Sequence, residues 1–135
     1  MMLAPDLRPS GKKRILVIDD EAAIREVFDE ILTSAGYEVS TAESGAVAVE
    51  RAEREPFDLA ITDLRMPGLS GVDTVAALRR IKPGLAVIVV SGNVSDESAR
   101  RCREAGVTRF MSKPVDIDEL LHVVEVALQN RACSS

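Results

Sequence analysis

The alternation of two kinds of segment is the feature of this 135-residue sequence that most restricts its fold. Five short apolar runs rich in β-branched residues alternate with longer stretches of helical spacing. The runs are RILVID (14–19), YEVSTA (37–42), FDLAIT (57–62), LAVIVVS (85–91) and VTRFMS (107–112). ILVI and VIVV within them do not alternate in polarity, which is typical of strands buried on both faces. Five consecutive strand–helix units predict an α/β fold, a parallel sheet with helices on both faces.

The stretches between the runs carry apolar residues at intervals of three and four, which predicts amphipathic helices. The inward face predicted for the first helix comprises Ile24, Val27, Phe28, Ile31, Leu32 and Ala35. Gly36 is expected to end that helix, and Ser44 to cap the second. Pro83-Gly84 ends the third, and Asp116 opens a capping box at the start of the fifth.

Charge and composition restrict the function classes. The formal net charge of -5 disfavours direct nucleic-acid binding by this domain. No apolar run approaches the roughly 18 residues of a membrane span, and the opening segment does not resemble a signal peptide. Cys102 and Cys133 show neither metal nor disulfide spacing, which favours a cytoplasmic location. We expect a flexible tail over 1–13, one domain over 14–130 and a short tail over 131–135.

Polar residues follow the apolar runs at the carboxyl ends of the predicted strands, the edge where open parallel sheets carry their sites. Asp19, Asp20 and Glu21 end the first strand, Asp63 ends the third, Ser91-Gly92 the fourth and Ser112-Lys113-Pro114 the fifth. Neighbouring carboxylates repel one another unless a cation is present, and an all-oxygen set suits Mg²⁺. Each residue alone is compatible with a helix cap or a turn. Together they predict a site for a divalent cation and a phosphoryl group.

The sequence resembles the receiver domain of two-component response regulators in four ordered motifs. These are VIDDE (17–21), DLRMPGLSG (63–71), VVSGN (89–93) and FMSKP (110–114). The resemblance covers about residues 14 to 130. It implies a flavodoxin-like (βα)5 three-layer sandwich with the sheet order 2-1-3-4-5, an order that the apolar pattern alone does not predict.

The resemblance implies a role for each acidic residue of the site. Asp63 would be the nucleophile that accepts a phosphoryl group from a phosphohistidine. Asp20 would bind Mg²⁺ (or Mn²⁺) directly and Asp19 mainly through water. Asp63 and the backbone carbonyl of Arg65 would complete the protein ligands of the metal.

The remaining site residues are also implied by the resemblance. Ser91 would hydrogen-bond one phosphoryl oxygen and Lys113 would pair with another. A cis bond before Pro114 would direct Lys113 towards Asp63. Arg65 and Asn93 would flank the phosphate and tune the attack of water, and an arginine at this position predicts a long-lived phosphoryl state.

A switch follows from the same resemblance. Ser91 would move towards the phosphate, the loop after the fourth strand would follow, and Phe110 would turn inward, although plain core packing also explains Phe110. The fourth helix, predicted from Ser95 to Ala105, has only three small inward residues, Ala99, Cys102 and Ala105. So thin an apolar face suits a segment that shifts at low cost. We therefore expect the fourth helix, fifth strand and fifth helix to form the output face.

The implied partners are a sensor histidine kinase or a histidine phosphotransfer protein, and an unidentified downstream protein. The kinase is expected to dock around Ala22, Ala23 and Arg25, with the loop after Lys113, although a solvated helix face explains these residues equally well. A phosphorylation-dependent homodimer is also compatible with the resemblance. No membrane partner is expected.

Two other function classes compete with this interpretation. A phosphatase resembling the haloacid-dehalogenase group needs a second Asp two residues after its nucleophile, where this chain has Arg65. A phosphate-independent adaptor of the same fold usually lacks the acceptor, an acidic residue or the lysine, and all are present here. The resemblance implies self-phosphorylation and autodephosphorylation rather than turnover of an external substrate, by a stand-alone receiver or a piece of a longer regulator.

Overall fold

The computed structural model describes residues 12–64, 71–92 and 96–133, and within them five strands alternate with five helices. The strands are β1 (Arg14–Ile18), β2 (Glu38–Ala42), β3 (Leu59–Asp63), β4 (Ala86–Ser91) and β5 (Arg109–Ser112). The helices are α1 (Ala22–Ser34), α2 (Gly45–Arg54), α3 (Gly71–Ile81), α4 (Asp96–Ala105) and α5 (Ile117–Cys133). The strands begin and end within two residues of their predicted limits.

The five strands form one parallel sheet in the order β2-β1-β3-β4-β5. Both the α/β class and the order 2-1-3-4-5 are therefore confirmed. The strand order reverses between β1 and β3, and the crevice above such a reversal is where open α/β sheets bind their ligands. This reversal places the carboxyl ends of β1 and β3 side by side.

Two apolar layers cover the sheet, as expected for strands without alternating polarity. On one face, α1 and α5 contribute large buried side chains, among them Phe28, Leu32, Leu120 and Val124. On the other face, α2, α3 and α4 contribute mostly smaller ones, among them Ala48, Ala52, Val75, Leu78 and Cys102. Cys102 is fully buried, as its predicted role of a small apolar residue requires.

The inward face predicted for α1 is only partly correct. Phe28 and Leu32 are buried, and Ile24 and Ile31 pack at the edge of the core. Val27, however, is 52% exposed and Ala35 is also exposed. Successive residues of a helix point about 100° apart. Val27, one position before Phe28, therefore lies beside the buried stripe that contains Phe28 and Leu32, and not within it.

The helix ends follow the local chemistry of their residues. Ser44 Oγ accepts a hydrogen bond from the Val47 amide at 3.2 Å, and Asp116 Oδ2 accepts one from the Glu119 amide at 3.2 Å. Both predicted caps are therefore present. Helix α5 continues to Cys133, three residues past the domain end expected at 130. Residues 1–11 and 134–135 lie outside the described residues, and the domain boundaries stay predictions.

Among the helices of the described segments, none combines the length and the apolar character needed to cross a bilayer.

Candidate functional site

The site begins where β1 ends, in a segment that we call the acidic turn (Asp19–Glu21). Asp19 is buried with 4% exposure, whereas Asp20 and Glu21 are exposed. One carboxylate oxygen from each of the three residues lies within 4.8 Å of the others. The Glu21 amide donates to Asp19 Oδ1 at 2.9 Å, so the turn closes on its own first side chain. Three carboxylates are thereby held at the reversal point of the sheet.

Asp19 occupies an unfavourable electrostatic position. Burial raises the pKa of its carboxyl group, and the charges of Asp63 and Asp20 raise it further, against the Glu21 amide and the charge of Lys113. A buried carboxylate of this kind is stabilised by added positive charge. The donor set is all oxygen, and two of its three members face solvent, which leaves room for bound water. The acidic turn therefore fits Mg²⁺, which keeps several waters when a protein binds it.

Asp63 is the last residue of β3 and is 8% exposed. Lys113 Nζ donates to Asp63 Oδ2 at 2.7 Å and lies 3.8 Å from Asp19 Oδ2. Burial lowers the pKa of Lys113, but the bond to Asp63 and the charges of Asp63, Asp19 and Glu21 outweigh burial and leave that pKa raised. Lys113 is therefore a charged ammonium group that links the carboxylates at the ends of β1 and β3.

Backbone contacts fix the position of these side chains. The Lys113 amide donates to the Ser91 carbonyl at 3.1 Å, and the Lys113–Pro114 peptide bond is cis, as the resemblance implies. Ser91 ends β4 and is 2% exposed, one residue past the position that pairs with Asp63. On the other side, a Cβ added to Gly71 would lie 2.7 Å from the Asp63 carbonyl oxygen. Only glycine lets α3 begin this close to the end of β3.

Most of the expected site residues converge in the structure. Asp19, Asp63 and Lys113 are in direct contact or close to it, with Asp20 in the same acidic turn and Ser91 on the neighbouring strand. Phe110 is half-buried and packs instead against the core cluster of α2, α3 and α4. Arg65 and Asn93 lie outside the described residues.

Two residues make contacts beyond the roles expected of them. Glu21 joins the cluster of carboxylates, although it was not among the expected metal ligands. Arg25, expected on a docking surface, donates from Nη1 to the Asp19 carbonyl at 2.7 Å. No spacing rule could have indicated this contact, because the acceptor is a backbone carbonyl six residues earlier in the chain.

Known proteins are similar to this chain in sequence and in fold. The sequence model of a protein family, the response regulator receiver domain, matches residues 15–125 of this chain. The chain belongs to that family. It is 37% identical over 118 residues to the transcriptional regulatory protein GlrR of Escherichia coli (strain K12), covering 87% of this chain and 27% of GlrR. The chain thus spans about a quarter of the length of that relative.

Solved structures are similar over nearly the whole chain. A receiver domain protein from Methanospirillum hungatei JF-1, described as CheY-like, aligns with a TM-score of 0.90 at 30% identity, covering 93% of this chain and 100% of that one. The response regulator protein TrrA of Thermotoga maritima, crystallised in complex with Mg(2+)-BeF, aligns with a TM-score of 0.77 at 35% identity, covering 85% and 98%. Receiver domains take phosphoryl groups from kinases in phosphorelay signalling and bind Mg²⁺ through an acidic pocket, and this chain has the fold and an acidic cluster of that family.

Proposed function

We propose that Asp63 accepts a phosphoryl group from a phosphohistidine on a histidine kinase or phosphotransfer protein. The observation that carries the proposal is the 2.7 Å bond between Lys113 Nζ and Asp63 Oδ2, with the acidic turn next to it. A carboxylate at a strand end, paired with a cation and facing a crevice, is suited to nucleophilic attack on phosphorus.

The metal ligands proposed are Asp20, Asp19 through water, Asp63 and the backbone carbonyl of Arg65, with Glu21 close by in the acidic turn. These residues would hold Mg²⁺ (or Mn²⁺), which would supply positive charge to neutralise phosphoryl oxygens. The acidic turn supports this assignment because it holds one carboxylate oxygen from each of three residues within 4.8 Å of the others, a cluster of charge opposite to that of the ion.

In the transfer step, a carboxylate oxygen of Asp63 forms a bond to phosphorus. The bond from phosphorus to the donor imidazole breaks, and its electron pair returns to the imidazole nitrogen. Lys113 exchanges its bond to Asp63 for one to a phosphoryl oxygen, and the Ser91 hydroxyl donates to another. The chain contributes position and charge, which dominate catalysis of phosphoryl transfer.

The same step would drive the switch. Movement of Ser91 towards the phosphate would draw the start of α4, and Phe110 would turn into the space left behind. The output face is then α4, β5 and α5. The half-buried position of Phe110 supports this, because the ring already borders the core cluster beneath α4.

The phosphohistidine partner is proposed to dock on α1 and the loop after Lys113. An apolar groove of about 570 Å³ lies there and reaches Lys113 itself. Its wall includes Val27 and Ile117, which are 52% and 51% exposed. We expect Val27→Asp to slow phosphotransfer from the kinase while leaving phosphorylation by acetyl phosphate unchanged. Equal slowing with both donors would contradict docking at this groove.

The decisive experiment is intact mass spectrometry after treatment with acetyl phosphate or phosphoramidate, with and without Mg²⁺. We expect the parent chain to gain one phosphoryl group only when Mg²⁺ is present. Asp63→Asn should gain none, because the amide is not a nucleophile of comparable strength. Asp118→Asn, which changes an exposed carboxylate of α5, serves as the matched control and should behave as the parent does.

Failure to gain mass with every donor would contradict phosphoryl acceptance and favour the phosphate-independent adaptor. Gain of mass by Asp63→Asn would assign the acceptor to another residue.

A further inference from the structure

Arg25 connects the first turn of α1 with the end of β1. Its half-buried side chain reaches back so that Nη1 donates to the Asp19 carbonyl oxygen at 2.7 Å. A bond of this length from an ionised donor belongs to the stronger class of hydrogen bonds. Arg25 is therefore held against the acidic turn instead of being free to meet a partner on α1.

Among the described residues, three hydrogen bonds hold Asp19 in place, and one of them comes from a side chain beyond the acidic turn. Lys113 Nζ adds a charge 3.8 Å from Asp19 Oδ2. The Asp19 amide donates to the Ala42 carbonyl at 3.1 Å, and the Glu21 amide donates to Asp19 Oδ1 at 2.9 Å. Both of these donors are backbone groups, so substitutions outside Asp19 leave the donor and acceptor of each bond in place. Of the three, the bond from Arg25 is the one that a substitution outside the acidic turn can remove.

We propose that Arg25 is a positioning residue for divalent-cation binding, because its bond to the Asp19 carbonyl keeps the three carboxylates of the acidic turn within 4.8 Å of one another. This inference rests on the proposed function, in which the acidic turn belongs to the cation site. Arg25 contacts no ligand of the reaction. It acts through the backbone of Asp19.

The positive charge of Arg25 acts against divalent-cation binding, whereas its hydrogen bond to Asp19 favours it. A guanidinium group near the acidic turn repels a divalent cation, so its removal should tighten Mg²⁺ binding if charge alone mattered. Two of the three carboxylates are exposed, and solvent ions screen such interactions. A part-buried bond from a charged donor is less affected by screening and contributes more to the free energy. Removal of Arg25 should therefore weaken binding.

The test is isothermal titration of the 135-residue chain with Mg²⁺ alone, at constant ionic strength. We expect Arg25→Met, which keeps the apolar stem without a donor, to raise the Kd for Mg²⁺ about tenfold. Arg25→Lys, which keeps the charge without the planar fork, should raise it less. Arg51→Met is the matched control, because it removes the same charge from an α2 side chain that pairs with Glu55, and its Kd should stay within about twofold of the parent.

The outcomes separate this inference from the proposed function. An unchanged or lower Kd for Arg25→Met would overturn the positioning role, even if unfolding in EDTA showed a loss of stability. If Arg25→Met does not fold, Arg25→Lys decides in its place, and an affinity equal to that of the parent overturns the role. A parent chain that binds no Mg²⁺ would overturn the proposed cation site and this inference with it.

Discussion

The helices α5 and α4, which lie on opposite faces of the sheet, differ in how firmly they are held. On one face, α5 contributes Leu120 and Val124, both with 0% exposure, and α1 adds Leu32 at 0%. On the other face, α4 contributes a single fully buried side chain among its described residues, Cys102. Since each large buried apolar side chain contributes about 1.5–3 kcal/mol, α4 is much more weakly anchored than α5.

This difference in anchoring matches the two roles that we propose, binding on the α1–α5 side and switching at α4. The α1–α5 side holds the acidic turn and the groove beside Lys113, where we propose that the cation and the phosphohistidine partner bind. The α4 side borders β4, which ends in Ser91, and β5, which carries Phe110. A weakly anchored helix can change position for a small free-energy cost, as a switch element must.

The largest expected difference between α5 and α4 is the loss of unfolding free energy when a buried side chain of each helix is shortened to alanine. We expect Leu120→Ala to lower the free energy of unfolding by about 3 kcal/mol, because it removes a large buried side chain and leaves a cavity. Cys102→Ala should cost about 1 kcal/mol, because little volume is lost. Urea denaturation measures both values. Equal costs would show that α4 is anchored as firmly as α5.

The glycines that end α1 and α4 allow a second, smaller comparison. Gly36 and Gly106 both have a φ of 102°, but a Cβ on Gly106 would lie 2.8 Å from Arg79 Nε, whereas Gly36 has open space around it. We expect Gly36→Ala to lower the free energy of unfolding by about 1 kcal/mol, from backbone strain alone. Gly106→Ala should lower it by about 2 kcal/mol, because the clash with Arg79 is added.

Arg79 explains the excess, since its guanidinium donates to the Leu85 carbonyl and cannot move without breaking that bond. In the Arg79→Ala background, Gly106→Ala should cost no more than Gly36→Ala. A double-mutant cycle from urea denaturation measures this coupling. Persistence of the excess without Arg79 would place the strain in the backbone alone.

A still smaller effect on the free energy of unfolding is expected from the buried carboxyl group of Asp19, at the end of β1. Burial raises the pKa of Asp19, so the folded protein holds the proton of this carboxyl group more tightly than the unfolded chain does. The free energy of unfolding in EDTA should therefore fall as pH rises from about 4 towards the raised pKa of Asp19. Asp19→Asn should remove this fall and stabilise the metal-free protein at pH 7. The exposed carboxylate of Glu50 provides the control variant, Glu50→Gln, which should keep the pH dependence of the parent.

The last prediction involves little or no change in stability. Beryllofluoride with Mg²⁺ mimics the phosphoryl group, and we expect it to shift amide resonances over 96–112 more than those over 24–34. Nuclear magnetic resonance spectra of the free and bound forms measure these shifts. Unchanged resonances between Ser91 and Lys113 would contradict the proposed switch, and larger shifts in α1 would reverse the comparison.

Much of the fold could be predicted because apolar pattern and local caps act over short distances. The runs around ILVI and VIVV become fully buried strands, and Ser44 and Asp116 cap their helices through contacts three residues away. Val27 was assigned to the core wrongly, because periodicity shows which side of a helix is apolar but not how wide a stripe the neighbouring elements cover.

The candidate site was predictable for a different reason. In a parallel sheet, strand ends share one edge, so Asp19, Asp63 and Lys113 could be grouped before their distances were known. The contact from Arg25 to the Asp19 carbonyl was not predictable, because a long side chain can point to a partner protein or back to its own backbone. Only the packing of α1 against the end of β1 decides between these directions.

The sequence by itself determined the class of fold, the strands, the caps and the set of candidate site residues, because these depend on periodicity and on neighbours a few positions apart. Tertiary structure alone decided that Lys113 bonds Asp63 while lying 3.8 Å from Asp19, that Glu21 joins the carboxylate cluster and that Val27 faces solvent. Asp63 and Lys113 are 50 residues apart in the chain. Contacts over such separations depend on sheet order and helix packing, which no local pattern encodes.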